Sequence, residues 1–562
     1  MKQYVADFET TSIENFEVDK SVRVWAVNIR EISKNESVLT SNNIDDFFKF
    51  IKKESSEVFF HNLKFDGQFI LNELFKRGYK HKDEPKNEKE FGTLISDTGI
   101  WYSMTIIHKK FNKRYIKTTI YDSLKKLPFS AEQIANAFQL ETVKGSIDYT
   151  KYRPENYEMT DDEKFYVEND TSIISQALKI QFDNGLKKMT IGSDALNYFK
   201  SDLGQKAFKY LFPVLPHSVD NDLRQAYKGG FVYLNPKFKN KVIENILCYD
   251  VNSLYPSVMY ECELPFGEPV YFKGKYKKDE KRPLYICVIR ANFEIKKGFI
   301  PTIQLKNSFR FNPTEYITTS NDEVVQMTLT SVDLALFLDH YNIKSIEYVC
   351  GWKFRNVQGL FKSYIDYWGE IKKNSTGAKR SLAKLMLNSL YGKFGTNDRK
   401  CQAIPYLDKE DGIVKFKRGE ETIEKPVYTA LACFVTAWAR NKTIRSAQAV
   451  GMENFIYADT DSLKITGMSE ERVKELIEVD QKELGKWKDE GHAEKGKFLR
   501  AKTYILEIEK EIHVTCAGMP DTVKEKVNFD NFNYGTSFSG KLLQSRVKGG
   551  VLLKDTEFTI KE

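Results

Sequence analysis

The sequence predicts a multidomain protein with an α/β N-terminal region followed by α+β regions. First, 562 residues are enough for about three to five domains of ordinary size. Second, hydrophobic residues make up 41% and aromatic residues 13% of the chain, which is enough to build sizeable cores. Third, strand and helix patterns alternate over 1–190, whereas the rest of the chain groups long helices with hairpins.

Charge and cysteine content narrow the class of protein. The formal net charge of +8 and a pI near 8.7 suit a polyanionic partner. The seven cysteines form no CxxC pair, which argues against a zinc ribbon or an iron–sulfur cluster and suits a reducing cytosol. The N-terminus has no secretory signal and no apolar run is long enough to span a bilayer, so no membrane partner is expected.

The N-terminal elements follow from periodicity. The stretches "YVADFET", "RVWAVNI", "EVFFHN" and "RYIKTTIYDS" are typical of strands. The stretch "TDDEKFYVENDTSIISQALKIQFDNGL" predicts a long amphipathic helix with Thr160 as its N-cap. Residues 191–235 give a mixed pattern.

Further along, "NILCYDVNSLYPSVMY" predicts a strand, a turn and a helix. Residues 262–359 predict a charged loop and several short strands. The stretches "LFKSYIDYWGEIKK" and "GAKRSLAKLMLNSLYGKF" predict an antiparallel helix pair joined at "NSTG". A further helix covers "YTALACFVTAWARNKTIRSAQA", a hairpin covers "IYADTDSLKI", and the tail is rich in strands.

A first group of carboxylates lies in the central part of the chain. Asp459 and Asp461 in "YADTDS" are two residues apart, so they share one side of the predicted hairpin. Asp250 ends another strand. Three carboxylates could hold two divalent ions that stabilise the attacking and leaving oxygens of a phosphoryl displacement, and oxygen ligands favour magnesium or manganese. The alternative is a polar turn with capping aspartates, the commoner case for an isolated Asp-x-Asp.

A second group lies near the N-terminus. Asp7 and Glu9 in "DFET" share one strand face, and Asp66 in "KFDG" stands just before a predicted helix. Tyr166 and Asp170 in "YVEND" are one helical turn apart. Four acids that hold two metals, with a phenol to orient water, are typical of a hydrolytic phosphodiester site.

One helix carries a basic face. Arg380, Lys384, Asn388 and Tyr391 recur at helical spacing, and Lys372 at the end of the preceding helix could join them. The cations could bind a triphosphate and the tyrosine could stack on a base. A solvated basic face is the alternative, but the apolar "LMLNSLYG" in the same helix disfavours it.

The stretch "KTY" places Lys502 and Tyr504 on one face of a predicted strand. This pair would suit the phosphate and sugar of a primer. A charged strand edge would give the same pattern.

A charged hairpin is predicted within 396–427. "YLDKEDGIVKFKRGEETIEKPVY" alternates, turns at Asp411 and Gly412, and carries Lys415, Lys417 and Arg418 on its return side. A solvent-exposed hairpin without function is the alternative. If the hairpin closed against the C-terminal region it could encircle DNA, with the basic return strand holding phosphates.

Taken in order, these motifs resemble those of family B DNA polymerases. "DVNSLYP", "KLMLNSLYG", "TAWAR", "YADTDS" and "KTY" are similar to the polymerase motifs, and "DFET", "NLKFDG" and "YVEND" to the proofreading exonuclease motifs. "FHNLKFDG", "IYDSLKKLPF", "AYKGGF" and "CAGM" are close to the subgroup of protein-primed polymerases of small tailed bacteriophages. The resemblance covers essentially the whole chain.

The resemblance implies an N-terminal ribonuclease-H-like 3′–5′ exonuclease domain. Its metal ligands would be Asp7, Glu9, Asp66 and Asp170, with Tyr166 beside the attacking water. Contacts to the frayed 3′ end would come from Asn62, Phe65, Ser123 and Leu124. Lys144 would support the exonuclease chemistry.

The resemblance also implies a right-hand polymerase of palm, fingers and thumb. Its catalytic metal ligands would be Asp250, the Val251 carbonyl and Asp461, with Asp459 close by. Nucleotide contacts would come from Tyr255, which excludes a 2′-hydroxyl, and from Lys372, Arg380, Lys384, Asn388 and Tyr391. DNA contacts would come from Tyr227, Gly229, Gly230, Ser253, Thr436, Arg440, Lys502 and Tyr504.

The implied division has two insertions in the palm. It runs 1–190 exonuclease, 191–261 palm, 262–359 first insertion, 360–395 fingers, 396–427 second insertion, 428–516 palm and 517–562 thumb. The first insertion would contact the priming protein and the duplex, and the second would serve processivity and strand displacement.

The expected function is DNA-directed DNA synthesis with proofreading, which replicates a linear viral genome from a protein primer. The expected cofactor is Mg²⁺, replaceable by Mn²⁺, with two ions in each active site. The expected partners are primer-template and single-stranded DNA, dNTPs and a terminal priming protein, for a monomer in the cytoplasm of an infected bacterium. The alternative is a nuclease or DNA-binding protein with an inactive polymerase half, which the intact carboxylates and the intact "KLMLNSLYG" helix disfavour.

Overall fold

The computed structural model describes residues 1–112, 114–140, 145–305 and 315–562. The N-terminal region contains the strands β1 (Lys2–Thr10), β2 (Val24–Glu31), β3 (Glu36–Ser41), β4 (Ser56–Phe60), β5 (Lys80–His81), β6 (Glu90–Ile95), β7 (Trp101–Phe111) and β8 (Arg114–Asp122). Its helices are α1 (Ile13–Asp19), α2 (Ile44–Ile51), α3 (Leu63–Lys76), α4 (Ala131–Phe138) and α5 (Asp161–Asp183). The predicted α/β character of 1–190 is confirmed.

The N-terminal strands form one sheet in the order β3-β2-β1-β4-β8-β7-β6-β5. Strand β1 pairs antiparallel with β2 and parallel with β4, so it lies inside the sheet. Helix α5 begins as predicted at Thr160, whose hydroxyl accepts from the Glu163 backbone while the Glu163 side chain accepts from the Thr160 backbone. The helix packs on β1 and β2, which brings its inner face to the middle of β1.

The region after the N-terminal sheet begins with three helices, so the mixed pattern of 191–235 is mainly helical. Its elements are α6 (Ile191–Leu203), α7 (Gln205–Leu211), α8 (His217–Arg224), β9 (Val232–Leu234), β10 (Val242–Val251) and α9 (Leu254–Glu261). The predicted strand, turn and helix in "NILCYDVNSLYPSVMY" are confirmed by β10 and α9.

The prediction of short strands over 262–359 is wrong. The elements are β11 (Leu264–Lys273), β12 (Leu284–Ile295), β13 (Val325–Thr330), α10 (Ser331–His340) and β14 (Tyr341–Val357). Strand β14 runs for 17 residues, and the four strands pair in the order β11-β14-β12-β13. Because much of this sheet is exposed to solvent, charged residues interrupt the apolar pattern from which strand length was predicted.

The predicted helix pair and charged hairpin are both present. They consist of α11 (Lys362–Asn374), α12 (Gly377–Phe394), β15 (Arg399–Leu407) and β16 (Val414–Ile423). The two helices pack against each other, and the Tyr364 hydroxyl donates to the Met386 carbonyl at 2.8 Å.

The C-terminal half completes a central sheet. Its elements are α13 (Thr429–Val450), β17 (Phe455–Asp459), β18 (Ser462–Thr466), α14 (Glu470–Leu476), β19 (Trp487–Arg500), β20 (Thr503–Ile508), β21 (Glu511–Cys516), α15 (Asp521–Lys524), β22 (Ser537–Val547) and β23 (Gly550–Thr559). The central sheet has the order β21-β20-β19-β10-β18-β17-β9, so β10 lies beside the predicted β17–β18 hairpin. Helix α13 is buried along most of its length in the same core.

The β15–β16 hairpin and the β22–β23 hairpin contact each other, and both contact the N-terminal region. The Asp97 amide donates to the Cys401 carbonyl at 3.0 Å, which ties β15 to the N-terminal region. The Val22 amide donates to the Lys548 carbonyl at 3.0 Å, at the turn between β22 and β23. The Arg546 guanidinium lies 4.6 Å from the centre of the Phe416 ring, which joins the hairpins. In the described ranges, no helix is long and apolar enough to cross a bilayer.

Candidate active sites

The N-terminal acids converge on one point. Asp7 and Glu9 project from the same face of β1, and Asp170 projects from α5, which covers that face. One ligand oxygen from each of the three lies within 4.8 Å of the other two. Asp7 and Glu9 therefore share one strand face, as their spacing of two residues predicts.

Asp66 lies near Asp7 but is not one of the three acids whose oxygens converge. It is in the first turn of α3 rather than before the helix. Its side chain is buried, and burial, followed by the charge of Asp7, raises the pKa of Asp66 well above its usual range. Its Oδ1 has no hydrogen-bond partner among the described residues. A buried, unpaired carboxylate oxygen close to one of the converging acids fits a divalent cation with oxygen ligands.

Tyr166 lies beside this group with a partner that the sequence did not reveal. Its hydroxyl is 2.8 Å from that of Tyr149, within hydrogen-bond distance. Burial, followed by the charge of Glu9, raises the pKa of both tyrosines, so both phenols stay protonated. Tyr149 carries no helix or strand signal, and only the tertiary structure brings it to the site.

The predicted contacts to a frayed DNA end form a mixed group. Asn62 has a left-handed backbone, with φ of 71°, and is exposed at the start of α3, and Phe65 is half-buried. Leu124 is half-buried, whereas Ser123 is fully buried and its hydroxyl bonds to His61 and to the Phe60 carbonyl. Protein groups thus hold the Ser123 hydroxyl, and the expected contact of Ser123 to the frayed DNA end stays a prediction. Lys144 lies outside the described residues.

The central acids meet where two strands end. Asp250 is at the end of β10, and the Val251 amide donates to the Asp461 carbonyl at 2.7 Å, which places the two segments side by side. Thr460 has φ of 60°, so the turn is left-handed between Asp459 and Asp461. Burial, followed by the charge of Asp461, raises the pKa of Asp250 to about 7. Two partly buried carboxylates that disfavour each other's charge fit a shared divalent cation.

Asp459 has a different partner. Both of its oxygens lie 3.1 Å from the Lys502 ammonium. Lys502 is in the turn before β20, with φ of 57°, so the prediction that it shares a strand face with Tyr504 is wrong. Tyr504 instead packs its ring on Tyr457. The turn lets the lysine reach across to the β17–β18 hairpin.

The basic face of α12 borders the central acids. Arg380, Lys384 and Asn388 are exposed, and Tyr391 is half-buried. Burial, followed by the charges of Arg380 and Lys384, lowers the pKa of Lys372. These effects on the pKa confirm that Lys372 lies next to Arg380 and Lys384, as predicted. An anion bound here would meet several cations at once.

Two aromatic and hydroxyl contacts connect this helix pair to α9. The Tyr255 ring stacks on Tyr391 with centroids 4.1 Å apart. The Lys372 ammonium donates to the Ser253 hydroxyl at 3.0 Å. Residues from "DVNSLYP" and from the helix pair are therefore in direct contact.

Thr436 and Arg440 are held within the protein. Both side chains are buried, and the Thr436 hydroxyl donates to the carbonyl of Ala432 in its own helix. The Arg440 guanidinium forms a two-pronged pair with Asp333, with one contact at 2.8 Å, and donates to the carbonyl of Gly229 at 2.7 Å. The expected DNA contacts of both residues stay predictions.

The "AYKGGF" loop is closely packed against the β17–β18 turn. A side chain at Gly230 would approach the Thr460 hydroxyl to 2.6 Å, so only glycine fits. Tyr227 lies against Gly395, where a Cβ would come within 2.6 Å of the tyrosine ring. Gly229 is exposed beside them, which leaves its backbone accessible.

Comparison with known proteins gives a consistent result. A family model described as DNA polymerase type B, organellar and viral, matches residues 49–153 and 146–478. The DNA polymerase of Bacillus phage Nf is 46% identical over 580 residues, covering 100% of both chains. The solved structure of Phi29 DNA polymerase complexed with primer-template DNA and incoming nucleotide is similar at a TM-score of 0.94 and 44% identity over 100% of both chains. The structure of the same enzyme with single-stranded DNA gives 0.93 at 44% identity over 100% of both chains.

Proposed function

The chain belongs to the type B DNA polymerases of organelles and viruses, and we propose that it replicates a linear phage genome by protein-primed, strand-displacing synthesis with proofreading. It is a DNA-directed DNA polymerase with the fold of the phage enzymes, a mixed α/β multidomain chain. The full-length match does not favour the alternative of a nuclease or DNA-binding protein with an inactive polymerase half. The observation that carries the proposal is the presence of two separate carboxylate centres, one on each large sheet.

The central acids would serve DNA synthesis. The primer 3′-hydroxyl attacks the α-phosphate of a dNTP, a new oxygen–phosphorus bond forms, and pyrophosphate leaves. Lys384, Arg380 and Lys372 would bind the triphosphate and the leaving pyrophosphate, with Asn388 beside the new pair. Tyr255, fixed by its stacking on Tyr391, would lie under the sugar and exclude a 2′-hydroxyl.

The N-terminal acids would serve proofreading. Water attacks the last phosphodiester of a frayed strand, and the 3′-oxygen of the penultimate nucleotide leaves, releasing one nucleoside monophosphate. Tyr166 would orient the water. Contacts to the strand end would come from Asn62, Phe65, Ser123 and Leu124. Lys144 is proposed from the resemblance alone.

Members of this family require divalent metal ions, and we propose Mg²⁺, replaceable by Mn²⁺, with two ions in each centre. Asp250, Asp461 and the Val251 carbonyl would hold the polymerase pair, with Asp459 nearby. Asp7, Glu9, Asp66 and Asp170 would hold the exonuclease pair. When bound, the ions supply charge to stabilise attacking and leaving oxygens.

The DNA path would run between these centres. Proposed contacts are those of Tyr227, Gly229, Gly230, Ser253, Thr436, Arg440, Lys502 and Tyr504. Arg440 also binds the Gly229 carbonyl, which would hold that loop along the DNA. On the return strand of the β15–β16 hairpin, Lys415 is already paired with Asp408 at 2.6 Å. The exposed Lys417 would therefore be the lysine that holds DNA phosphates.

The division into domains stays a proposal with the bounds given above. The sheet within 262–359 projects from the central core and would contact a terminal priming protein, whose hydroxyl would replace the primer 3′-end at initiation. The β15–β16 hairpin and the C-terminal hairpin contact each other, which supports the role of 396–427 in enclosing DNA. The protein would work as a monomer in the cytoplasm of a phage-infected host cell.

The deciding experiment uses a primed template with Mg²⁺. With all four dNTPs the primer should lengthen, and without dNTPs it should shorten from its 3′ end. Adding a purified terminal protein and a template without a primer should give a protein–nucleotide adduct. Absence of lengthening would refute the polymerase assignment, and absence of shortening would refute only the exonuclease assignment.

A further inference from the structure

A buried arginine next to the exonuclease centre has no part in the proposed chemistry. The Arg153 side chain is only 2% exposed. A buried cation is costly unless its donors are all engaged. The groups that its guanidinium contacts therefore indicate the role of Arg153.

The guanidinium binds the loop that carries Tyr149. It donates to the carbonyl of Asp148 at 2.8 Å and to the carbonyl of Lys151 at 3.2 Å. These two carbonyls flank the pair Tyr149 and Thr150. One rigid, planar group thus sets the path of the backbone through the two residues between them.

The same group is itself fixed from three directions. It donates to the Glu163 carboxylate at 2.9 Å, at the first turn of α5. It also lies 4.0 Å from the centre of the Trp25 ring, on β2. Asn15 accepts from the Arg153 amide at 3.1 Å and donates to its carbonyl at 2.6 Å, which ties the residue to α1.

The anchors belong to the elements that carry the acids. Helix α5 supplies Glu163 and, two turns later, Asp170. The Trp25 indole donates to the Thr10 carbonyl at 3.1 Å, next to Glu9 on β1. The loop is therefore positioned relative to the same two elements that form the acid centre.

We propose that Arg153 is a positioning residue for the exonuclease reaction, which holds the loop over 148–151 so that the Tyr149 hydroxyl meets the Tyr166 hydroxyl. This inference rests on the proposed exonuclease function. The contact between the two hydroxyls fixes the direction of the Tyr166 hydroxyl beside the acids. Arg153 acts through Tyr149 and touches no DNA.

The test compares Arg153→Lys, Tyr149→Phe and the double variant in degradation of a single-stranded oligonucleotide. Lysine keeps the charge but cannot reach both carbonyls and Glu163 together. Each single variant should lower kcat by about tenfold, since small misplacements near reacting groups cost that much or more. KM should stay within about twofold, because the strand-binding residues are unchanged.

The double variant tests whether the two residues act through one contact. If Arg153 acts through Tyr149, the double variant should be no slower than Tyr149→Phe alone. Arg77→Lys is the matched control, because Arg77 also lies over an aromatic ring, that of Phe48, and pairs with Glu73, but is in another part of the same sheet domain. It should keep kcat unchanged, and all variants should keep primer extension.

Asn15→Ala loosens the same anchor from the opposite side. It should give a smaller kcat loss that also disappears in the Tyr149→Phe background, and it carries the test if Arg153→Lys does not fold. Multiplying losses in the double variant, or an unchanged kcat in folded Arg153→Lys, would overturn the inference. Loss of cooperative unfolding in both anchor variants would also overturn it, because the role would then be to hold the domain together. An unmodified protein without exonuclease activity would instead refute the proposed function.

Discussion

At the N-terminal centre the carboxylates come from the interior of β1 and from helices α3 and α5, whereas at the central centre they come from a strand end and a turn. Asp66 is enclosed and its Oδ1 lacks a partner among the described residues. Asp250 and Asp461 are only partly buried. The first centre is therefore held by surrounding elements on several sides, and the second is partly open to solvent.

The two centres also differ in the charge of the side chains beside the acids. Tyrosines that stay protonated lie beside the N-terminal acids. Lysine side chains lie near the central acids: the charges of Lys502 and Lys384 oppose the rise that burial causes in the pKa of Asp461, and Lys502 pairs with Asp459. A hydrolytic site needs an oriented water, whereas a site that binds a triphosphate needs several cations. The comparison teaches that similar acids can serve different reactions according to what faces them.

The sharpest way to break the comparison is to remove one central acid. Asp461→Ala should abolish primer extension, by about a thousandfold or more, because a lost metal ligand removes several kcal/mol of transition-state stabilisation. Degradation of single strands should persist, since the N-terminal centre is built on another sheet. Extension at the parent rate, measured in a primer-extension assay, would show that Asp461 is not a ligand.

The reciprocal change is made at the N-terminal centre. Asp7→Ala combined with Asp66→Ala should lower removal of a mismatched 3′ end by about a hundredfold or more. Incorporation of correct dNTPs should continue, so this variant and Asp461→Ala serve as controls for each other. Trimming that persists at equal protein concentration would mean that another site cuts DNA.

The β15–β16 hairpin should affect how long DNA stays bound. We expect replacement of 400–425 by a short Gly/Ser linker to spare extension on an open primed template. The variant should stall at a downstream duplex and make products about tenfold shorter in one binding event, because the enclosing contact is lost. In the parent protein, product length should fall as salt rises. Full-length displacement synthesis by the variant in a single encounter would exclude this role.

The last expected effect changes the selectivity of the polymerase centre rather than its activity, and it concerns the sugar. Tyr255→Val removes the ring that stacks on Tyr391 and should lower the preference for dNTPs over rNTPs by about tenfold to a hundredfold, the range for one added group in a close-fitting pocket. Single-turnover incorporation of each nucleotide gives the ratio. The exonuclease rate provides the control and should not change. An equal ratio of dNTP to rNTP incorporation in the parent and in Tyr255→Val would show that the sugar does not lie against Tyr255.

Local pattern was sufficient for the elements whose period is set by one buried face. The period of two in "DFET" correctly placed Asp7 and Glu9 together, and the capping signal at Thr160 correctly began α5. The helix spacing of Arg380, Lys384 and Asn388 likewise put them on one exposed face. These signals are local, because strand and helix geometry fix which neighbours share a face.

Predictions failed where long-range packing decides. The length of strand β14 was underestimated, since its charged residues adopt the strand conformation through pairing with β11 and β12. The pattern placed Lys502 on a strand face with Tyr504, yet Lys502 lies in a turn and pairs with Asp459, more than forty residues earlier in the chain.

The sequence by itself determined the two sets of acids, the basic helix and the family, since residue identity and short spacing carry them. The tertiary structure alone decided that Asp459 pairs with Lys502, that Asp66 is enclosed, and that Tyr149 reaches Tyr166. Each of these contacts joins segments that are distant or irregular in the chain. No local period encodes such contacts, and they form only when the packing of the sheets and helices brings the segments together.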